Sequence, residues 1–210
     1  MRLARIALPA ATLTAALVLV APLARADSGL KLHPSGFGTK SQAKWASKEG
    51  ITDSNGKTNF ALYFQKDTTT ATFAAGVAVV NGIEGTPVSE LTGLSWEWRD
   101  DGHCGAGAPR WNIRLQRADG TQYTVFLGCL AGVNVPDPTN LHWTIYTFNA
   151  SAIQSAVLAA AGSPTDTIQS LAIVFDEGTD QGQGFVYLDN ITVELNGTAK
   201  VFTGPSDNGS

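Results

Sequence analysis

The sequence predicts an all-β protein, an antiparallel β-sandwich with one short helix. Eight short segments are rich in β-branched and aromatic residues, and turn-forming combinations such as Asp53-Ser54-Asn55-Gly56 and Pro136-Asp137-Pro138 lie between them. A single segment late in the chain has a helical period. Many short strands with one helix are typical of an antiparallel sandwich.

The predicted strands follow one another along most of the chain. They cover Asn59 to Gln65, Thr72 to Val80, Gly93 to Arg99, Arg110 to Arg117, Gln122 to Gly128, His142 to Phe148, Gln169 to Asp176 and Phe185 to Leu195. The short connection Ala118-Asp119-Gly120 predicts a hairpin between the fourth and the fifth of them.

The segment Ala150 to Ala161 is Ala-rich and breaks the strand pattern. Ile153, Val157 and Leu158 are spaced for one face of a helix. Ser151 is the candidate N-cap, and Gly162 can end the helix.

The N-terminus predicts a cleaved secretory signal peptide over residues 1–26. Arg2 and Arg5 precede an apolar run, which ends at Ala24-Arg25-Ala26 with small residues where a signal peptidase reads. A membrane anchor is the alternative, but the core of the run is short for a span, and no later segment reaches roughly 18 apolar residues. We therefore expect a secreted protein, either extracellular or periplasmic.

Composition divides the remaining chain into three parts. Residues 27–44 form a polar N-terminal segment, residues 45–197 the sandwich, and residues 198–210 a flexible tail. Without the signal peptide, 11 Lys and Arg face 18 Asp and Glu, a net charge of −7. An acidic surface without basic clusters argues against nucleic acid and anionic membranes as partners.

The two cysteines, Cys104 and Cys129, are expected to form a disulfide in the oxidising compartment that the signal implies. Two buried thiols are an alternative. A metal site with His103 is another, but two thiols and one imidazole are fewer ligands than a structural zinc usually has.

Strand alternation singles out a group of polar residues. Glu97 and Arg99 share one face of their strand, and Asn112, Arg114 and Gln116 share one face of the next. If these two strands pair, the five side chains form a polar patch on one sheet face. The patch is either a ligand platform or a solvated face with ordinary cross-strand ion pairs.

Trp143 and Tyr146 complete the set of candidate ligand-binding residues. They lie on opposite faces of one predicted strand, so at least one should point away from the core. Aromatic rings and planar polar groups together are the chemistry that recognises sugars.

No catalytic motif is recognisable, and the sequence therefore predicts a protein that is not an enzyme. His33, His103 and His142 are not part of a nucleophile motif. The neighbours Asp176 and Glu177 would point to opposite faces of a continuing strand, so they would not flank one bond.

The end of the chain resembles a known family. The strand VYLDNITV at residues 186–193, preceded by LAIVFDEG at residues 171–178 and a short helix, resembles the end of galactose-binding-like jelly rolls, the fold of many carbohydrate-binding modules. The segments GAGAPRWNIRLQ and YTVFLGC are similar to those of secreted bacterial proteins of this type. The resemblance implies a jelly-roll sandwich and a non-catalytic module that binds a carbohydrate or another extracellular polymer.

Two alternatives to this function stay open. One is a structural or interaction protein of the cell envelope without a small ligand. The other is a polysaccharide hydrolase or lyase, since some of these enzymes are jelly rolls.

The resemblance also makes Asp189 a candidate metal ligand. In many modules of this fold the Asp of the Asp-Asn pair binds a structural calcium, and no other cofactor is expected. From the residues alone, Asp189 can equally accept backbone N–H bonds where the strand bulges.

Overall fold

The computed structural model describes residues 29–52, 59–105 and 107–208. The predicted signal peptide lies outside the described residues. The elements, in chain order, are β1 Lys31–Phe37, β2 Ser41–Ser47, β3 Phe60–Lys66, β4 Ala75–Asn81, β5 Leu91–Arg99, β6 Arg110–Gln116, β7 Gln122–Gly128, β8 Val133–Pro136, β9 Trp143–Asn149, α1 Ala150–Ala159, β10 Thr167–Phe175, β11 Phe185–Leu195 and β12 Thr198–Phe202.

Two antiparallel sheets make up the fold. The five-stranded sheet has the order β1-β4-β10-β6-β7, and the seven-stranded sheet has the order β2-β3-β11-β5-β9-β8, with β12 also paired to β11. The predicted antiparallel sandwich with one helix is confirmed. β7 and β11 have the bounds that alternation predicts.

The core fills the space between the sheets, because each strand turns its apolar side chains inward. Trp96 of the seven-stranded sheet stacks on Trp111 of the five-stranded sheet, with 5.6 Å between ring centroids. The ring of Phe148 meets Trp96 edge-on at 5.2 Å. All three side chains are fully buried.

Residues at both ends of the described chain join the sheets, and here the sequence interpretation is wrong. β1 and β2 lie largely within the segment interpreted as a polar leader, and β12 lies within the predicted tail. β1 pairs with β4 over its whole length, although among its residues only Leu32 is buried. Backbone pairing rather than apolar side chains holds such a strand, so hydrophobic periodicity does not reveal it.

The helix α1 is shorter than predicted and begins differently. Asn149 is its N-cap, since the Asn149 Oδ1 accepts a hydrogen bond from the Ala152 N–H at 2.9 Å; the predicted cap, Ser151, lies inside the helix. Ile153 and Val157 are buried as expected, whereas Leu158 is 60% exposed.

The disulfide between Cys104 and Cys129 is present, with 5.8 Å between the Cα atoms. Cys104 follows β5 of one sheet and Cys129 follows β7 of the other, so the bond connects the two layers. The two sulfurs are joined in this bond and are not available as metal ligands with His103, whose Nε2 lies 2.6 Å from the Glu177 Oε2.

A buried lysine joins two loops at one end of the sandwich. The Lys66 side chain is in the core, with the residue only 1% exposed. Its Nζ donates to the backbone oxygens of Thr70 at 3.1 Å, Thr72 at 2.8 Å and Asp176 at 2.7 Å. We call this arrangement the Lys66 cage. It satisfies all three ammonium donors, as a buried charge requires.

Over the described residues, none of the helices is long and apolar enough to cross a membrane.

Candidate functional site

A shallow groove of about 570 Å³ lies on the outer face of the seven-stranded sheet. It runs over β2, β3 and β11, whose opposite side chains belong to the core. The residues that line it are Gln42, Lys44, Trp45, Ala46, Ser47, Glu49, Tyr63, Gln65 and Tyr187.

Aromatic rings form the floor of the groove. Tyr63 and Tyr187 are cross-strand partners, with ring centroids 4.8 Å apart. Phe185 lies 5.9 Å from Tyr187 and 6.4 Å from Tyr63. The rings are partly exposed and hold one another in place, so a ligand would meet a preformed apolar surface.

Two cations cover parts of these rings. The Arg99 guanidinium carbon lies 3.7 Å from the centroid of the Tyr187 ring, and the Lys44 ammonium lies 5.7 Å from that of Tyr63. Arg99 also binds Glu49 at 2.7 Å and Asp101 at 2.8 Å. Its charge is therefore balanced, and its ring contact fixes one end of the floor.

Amide side chains lie at the other end of the groove. The Gln42 Nε2 donates to the Gln65 Oε1 at 2.6 Å, and the Gln65 Nε2 donates to the Asp67 carboxylate. This chain aligns planar donors and acceptors beside the aromatic floor. Burial raises the pKa of the Tyr63 hydroxyl, and the neighbouring Tyr187 and Asp67 raise it further. Tyr63 is thus a neutral hydroxyl at ordinary pH.

The polar patch predicted from β5 and β6 is not a single surface. β5 pairs with β11 and β9 in the seven-stranded sheet, whereas β6 pairs with β10 and β7 in the five-stranded sheet. Glu97 and Arg99 therefore lie on one outer face of the sandwich. Asn112, Arg114 and Gln116 lie on the opposite one. Alternation predicts which side chains share a face of one strand, but it cannot predict which strands pair.

Trp143 and Tyr146 take opposite faces of β9, as predicted. Tyr146 is on the inner side, next to Trp96 in register, and meets Trp98 edge-on at 6.1 Å. Trp143 is on the outer side beside Arg99, but it is only 8% exposed. Neither ring is placed to stack on a ligand in the groove.

Glu97 has an unusual carboxyl group next to the groove. Its Oε1 accepts a hydrogen bond from the Asn190 Nδ2 at 2.7 Å, while its Oε2 is buried without a donor from the described residues. Burial raises the pKa of Glu97 to about 7; the Asn190 hydrogen bond opposes this rise and the nearby Asp137 adds to it. Below about pH 7, a protonated Glu97 therefore lies beside an ionised Asp137.

Asp137 stays ionised because donors surround it. Although burial raises the pKa of Asp137, hydrogen bonds from Asn140 and Thr139 hold it well below its usual range. Asp137 is close enough to Glu97 to raise the pKa of that carboxyl group.

Asp189 is the carboxylate that the family resemblance makes a candidate metal ligand. Its Oδ2 accepts the Ile51 N–H at 2.7 Å and its Oδ1 accepts the Asn190 N–H at 2.7 Å. The register of β11 against β5 shifts immediately after it. These contacts agree with the account in which Asp189 closes a bulge. Among the described residues, no group of three or more His, Cys, Asp or Glu side chains is arranged to hold a metal ion. Calcium at Asp189 stays a prediction.

None of the nine lining residues is among the sequence-based candidates. Arg99 does not line the groove, but its guanidinium packs on the ring of Tyr187, which does. Gln42 and Lys44 lie in the segment interpreted as a leader, and Glu49 follows it. Tyr63 lies in a predicted strand, where alternation places it opposite Leu62 and Phe64. That alternation is the signal that could have indicated an outward ring.

Comparison with known proteins gives a structural neighbour but no match in sequence. No protein-family model matches the chain, and no curated protein matches it in sequence. A family 11 carbohydrate-binding module of the cellulosomal cellulase Lic26A-Cel5E of Clostridium thermocellum is similar in structure, with a TM-score of 0.43, 12% sequence identity, and coverage of 79% of this chain and 88% of that chain. The strand pairing itself establishes the sandwich, and similarity at this level assigns no function.

Proposed function

We propose that the protein is a secreted, non-catalytic binding protein whose groove on the seven-stranded sheet takes a carbohydrate. The observation that carries the proposal is the groove itself, in which partly exposed aromatic rings and amide side chains lie side by side on a rigid sheet. Sugars present apolar C–H faces together with pairs of hydroxyl groups, and this combination matches both components.

The geometry favours recognition of an extended chain over enclosure of a small molecule. The groove is open along the sheet, and its lining residues come from neighbouring strands. A polymer can pass through such a groove without threading an end. Glu49, the one carboxylate among the described residues that line the groove, is engaged by Arg99, which supports a positioning role for it.

Secretion is part of the proposal, and the predicted signal peptide supports it. A disulfide between the two sheets fits an oxidising compartment. N-terminal sequencing of the protein recovered from the culture medium or periplasm should begin at Asp27. A mature chain that keeps the apolar segment would contradict secretion by cleavage.

The binding proposal is tested by isothermal titration calorimetry with soluble neutral polysaccharides of different linkage. We expect at least one to bind, and Tyr63→Ala to weaken that binding about tenfold through loss of ring stacking. Tyr63→Phe keeps the ring and should retain most of the affinity.

A matched control separates the groove from general effects. Leu158→Ala removes an exposed apolar side chain on α1, away from the groove, and should leave binding unchanged. Absence of binding to every polysaccharide at high concentration would reject the proposal and favour the envelope-protein alternative. Equal binding by the wild type and Tyr63→Ala would place the ligand elsewhere.

A further inference from the structure

We propose that the outer face of the five-stranded sheet is a second binding surface, separate from the groove, and that it takes an acidic polysaccharide. We call it the basic face. The side chains that define it are Lys31, His33, Arg110, Asn112, Arg114 and Phe126.

Charge is the first reason. The five strands of this sheet contain Lys31, His33, Arg110 and Arg114 but not one Asp or Glu. The whole chain carries 18 acidic residues and a formal net charge of −4. A carboxylate-free sheet in an acidic protein complements an anionic ligand.

The basic side chains share one face because of the strand register. The row His33, Val79, Ala172, Asn112 and Phe126 crosses all five strands through consecutive cross-strand pairs. Arg114 lies two residues from Asn112 along β6, and Arg110 lies two residues away in the other direction. Their neighbours Trp111, Ile113 and Leu115 are fully buried, so the arginines must face outward.

Arg110 makes contacts within the protein that hold the other side chains of the basic face in place. It is paired with Asp176, with its Nη2 2.7 Å from the Oδ2, and its guanidinium lies 5.3 Å from the centroid of the Phe126 ring. Its Nε also donates to the Asn112 Oδ1 at 2.9 Å. This contact occupies the Asn112 acceptor and leaves the amide nitrogen, a donor, for a ligand.

Arg114 is the group that would bind the anion. It is exposed, and it makes no hydrogen bond or ion pair with any other described residue. A guanidinium can bind a carboxylate through two parallel hydrogen bonds. Phe126 on β7 pairs with Asn112 and therefore lies diagonally across from Arg114. It is 57% exposed, and its ring can contact the apolar face of a sugar.

These features favour a uronic acid polymer over a nucleic acid. Lys31 and Arg114 are the cations of the face without an anionic partner among the described residues, and tight binding to a phosphate backbone requires many such contacts. A sugar acid needs one carboxylate contact per recognised unit, with an amide donor and an aromatic ring beside it. The basic face supplies all three.

The test compares two forms of one polymer. Polygalacturonate carries a carboxylate on each sugar, whereas its fully methyl-esterified form has the same sugars without the charges. We expect the wild type to bind polygalacturonate in calorimetry, and to bind the ester at least about tenfold more weakly. Arg114→Gln should lose about the same factor for polygalacturonate while its melting temperature stays unchanged.

Lys200→Gln removes one positive charge from β12 in the other sheet and should bind as the wild type does. Tyr63→Ala should also keep polygalacturonate binding, which separates this proposal from the groove. No binding of polygalacturonate, equal binding of its ester, equal binding by Arg114→Gln, or tighter binding of single-stranded poly(dT) would each overturn it.

Discussion

Replacing Lys66 by Met should destabilise the protein strongly. Met keeps an unbranched apolar side chain of similar length but removes the three donors that reach Thr70, Thr72 and Asp176. Hydrogen bonds from a charged donor contribute about 1.5–3 kcal/mol each. Three backbone carbonyl oxygens would lose that partner.

The net loss is smaller than the sum of the three bonds, because the ammonium no longer has to be buried. With a net contribution of about 1 kcal/mol for each of the three hydrogen bonds, we expect the free energy of unfolding to fall by about 3 kcal/mol. At roughly 2–4 °C per kcal/mol for a domain of this size, the melting temperature should drop by about 10 °C.

Chemical denaturation and calorimetry of the intact, oxidised protein measure this effect. Lys200→Met is the matched control, since Lys200 is partly exposed and its contact with Asp207 is a surface ion pair at 3.4 Å. Such pairs contribute at most about 1 kcal/mol. If Lys66→Met were no less stable than Lys200→Met, the Lys66 cage would not support the fold as argued.

Three further predictions concern Glu97, the helix cap and Asp189. Because the pKa of Glu97 is raised from 4.5 to about 7 in the folded protein, the folded state keeps a proton that the unfolded chain releases. Stability should thus fall as pH rises through this window, and the melting temperature of Glu97→Gln should change less between pH 5 and pH 8, as scanning calorimetry can show. Asn149→Ala should cost about 1 kcal/mol in urea denaturation and Ser151→Ala almost nothing, whereas the reverse order would reject Asn149 as the cap. If Asp189 binds calcium, a chelator should lower the melting temperature and added Ca²⁺ restore it; an unchanged melting curve would leave backbone hydrogen bonding as its role.

Local patterns predicted β3 to β7 and β9 to β11, because these strands bury one side, whereas β1, β2, β8 and β12 were missed. In β6, for example, Trp111, Ile113 and Leu115 are buried and alternate with polar residues. The same pattern placed Arg114 correctly on an outward face. It failed to place Glu97 and Arg114 on different sheets, because pairing depends on contacts between residues far apart in the sequence.

The groove was harder to predict for a related reason. β2 brings Gln42 and Lys44 to the outer face, yet its own sequence is mostly polar and lies at the edge of the sheet. An edge strand needs few apolar residues, and lysines there discourage pairing with other chains. A polar sequence can therefore be part of a sheet, and it can hold half of a site.

The N-cap of α1 shows that the sequence did not predict the first residue of the helix correctly. Both Asn149 and Ser151 are good capping residues, and composition alone does not choose between them. β9 ends at Asn149, which leaves that residue extended with its side chain free to turn back onto the Ala152 N–H. The preceding strand decides where the helix begins.

The Lys66 cage has a consequence for how the protein tolerates its surroundings. Loops that are held by a dissociable ion loosen when that ion is removed. Here the positive charge between the β3–β4 and β10–β11 loops is attached covalently to the chain. The contact between these two loops therefore does not depend on a bound ion that a chelator could remove.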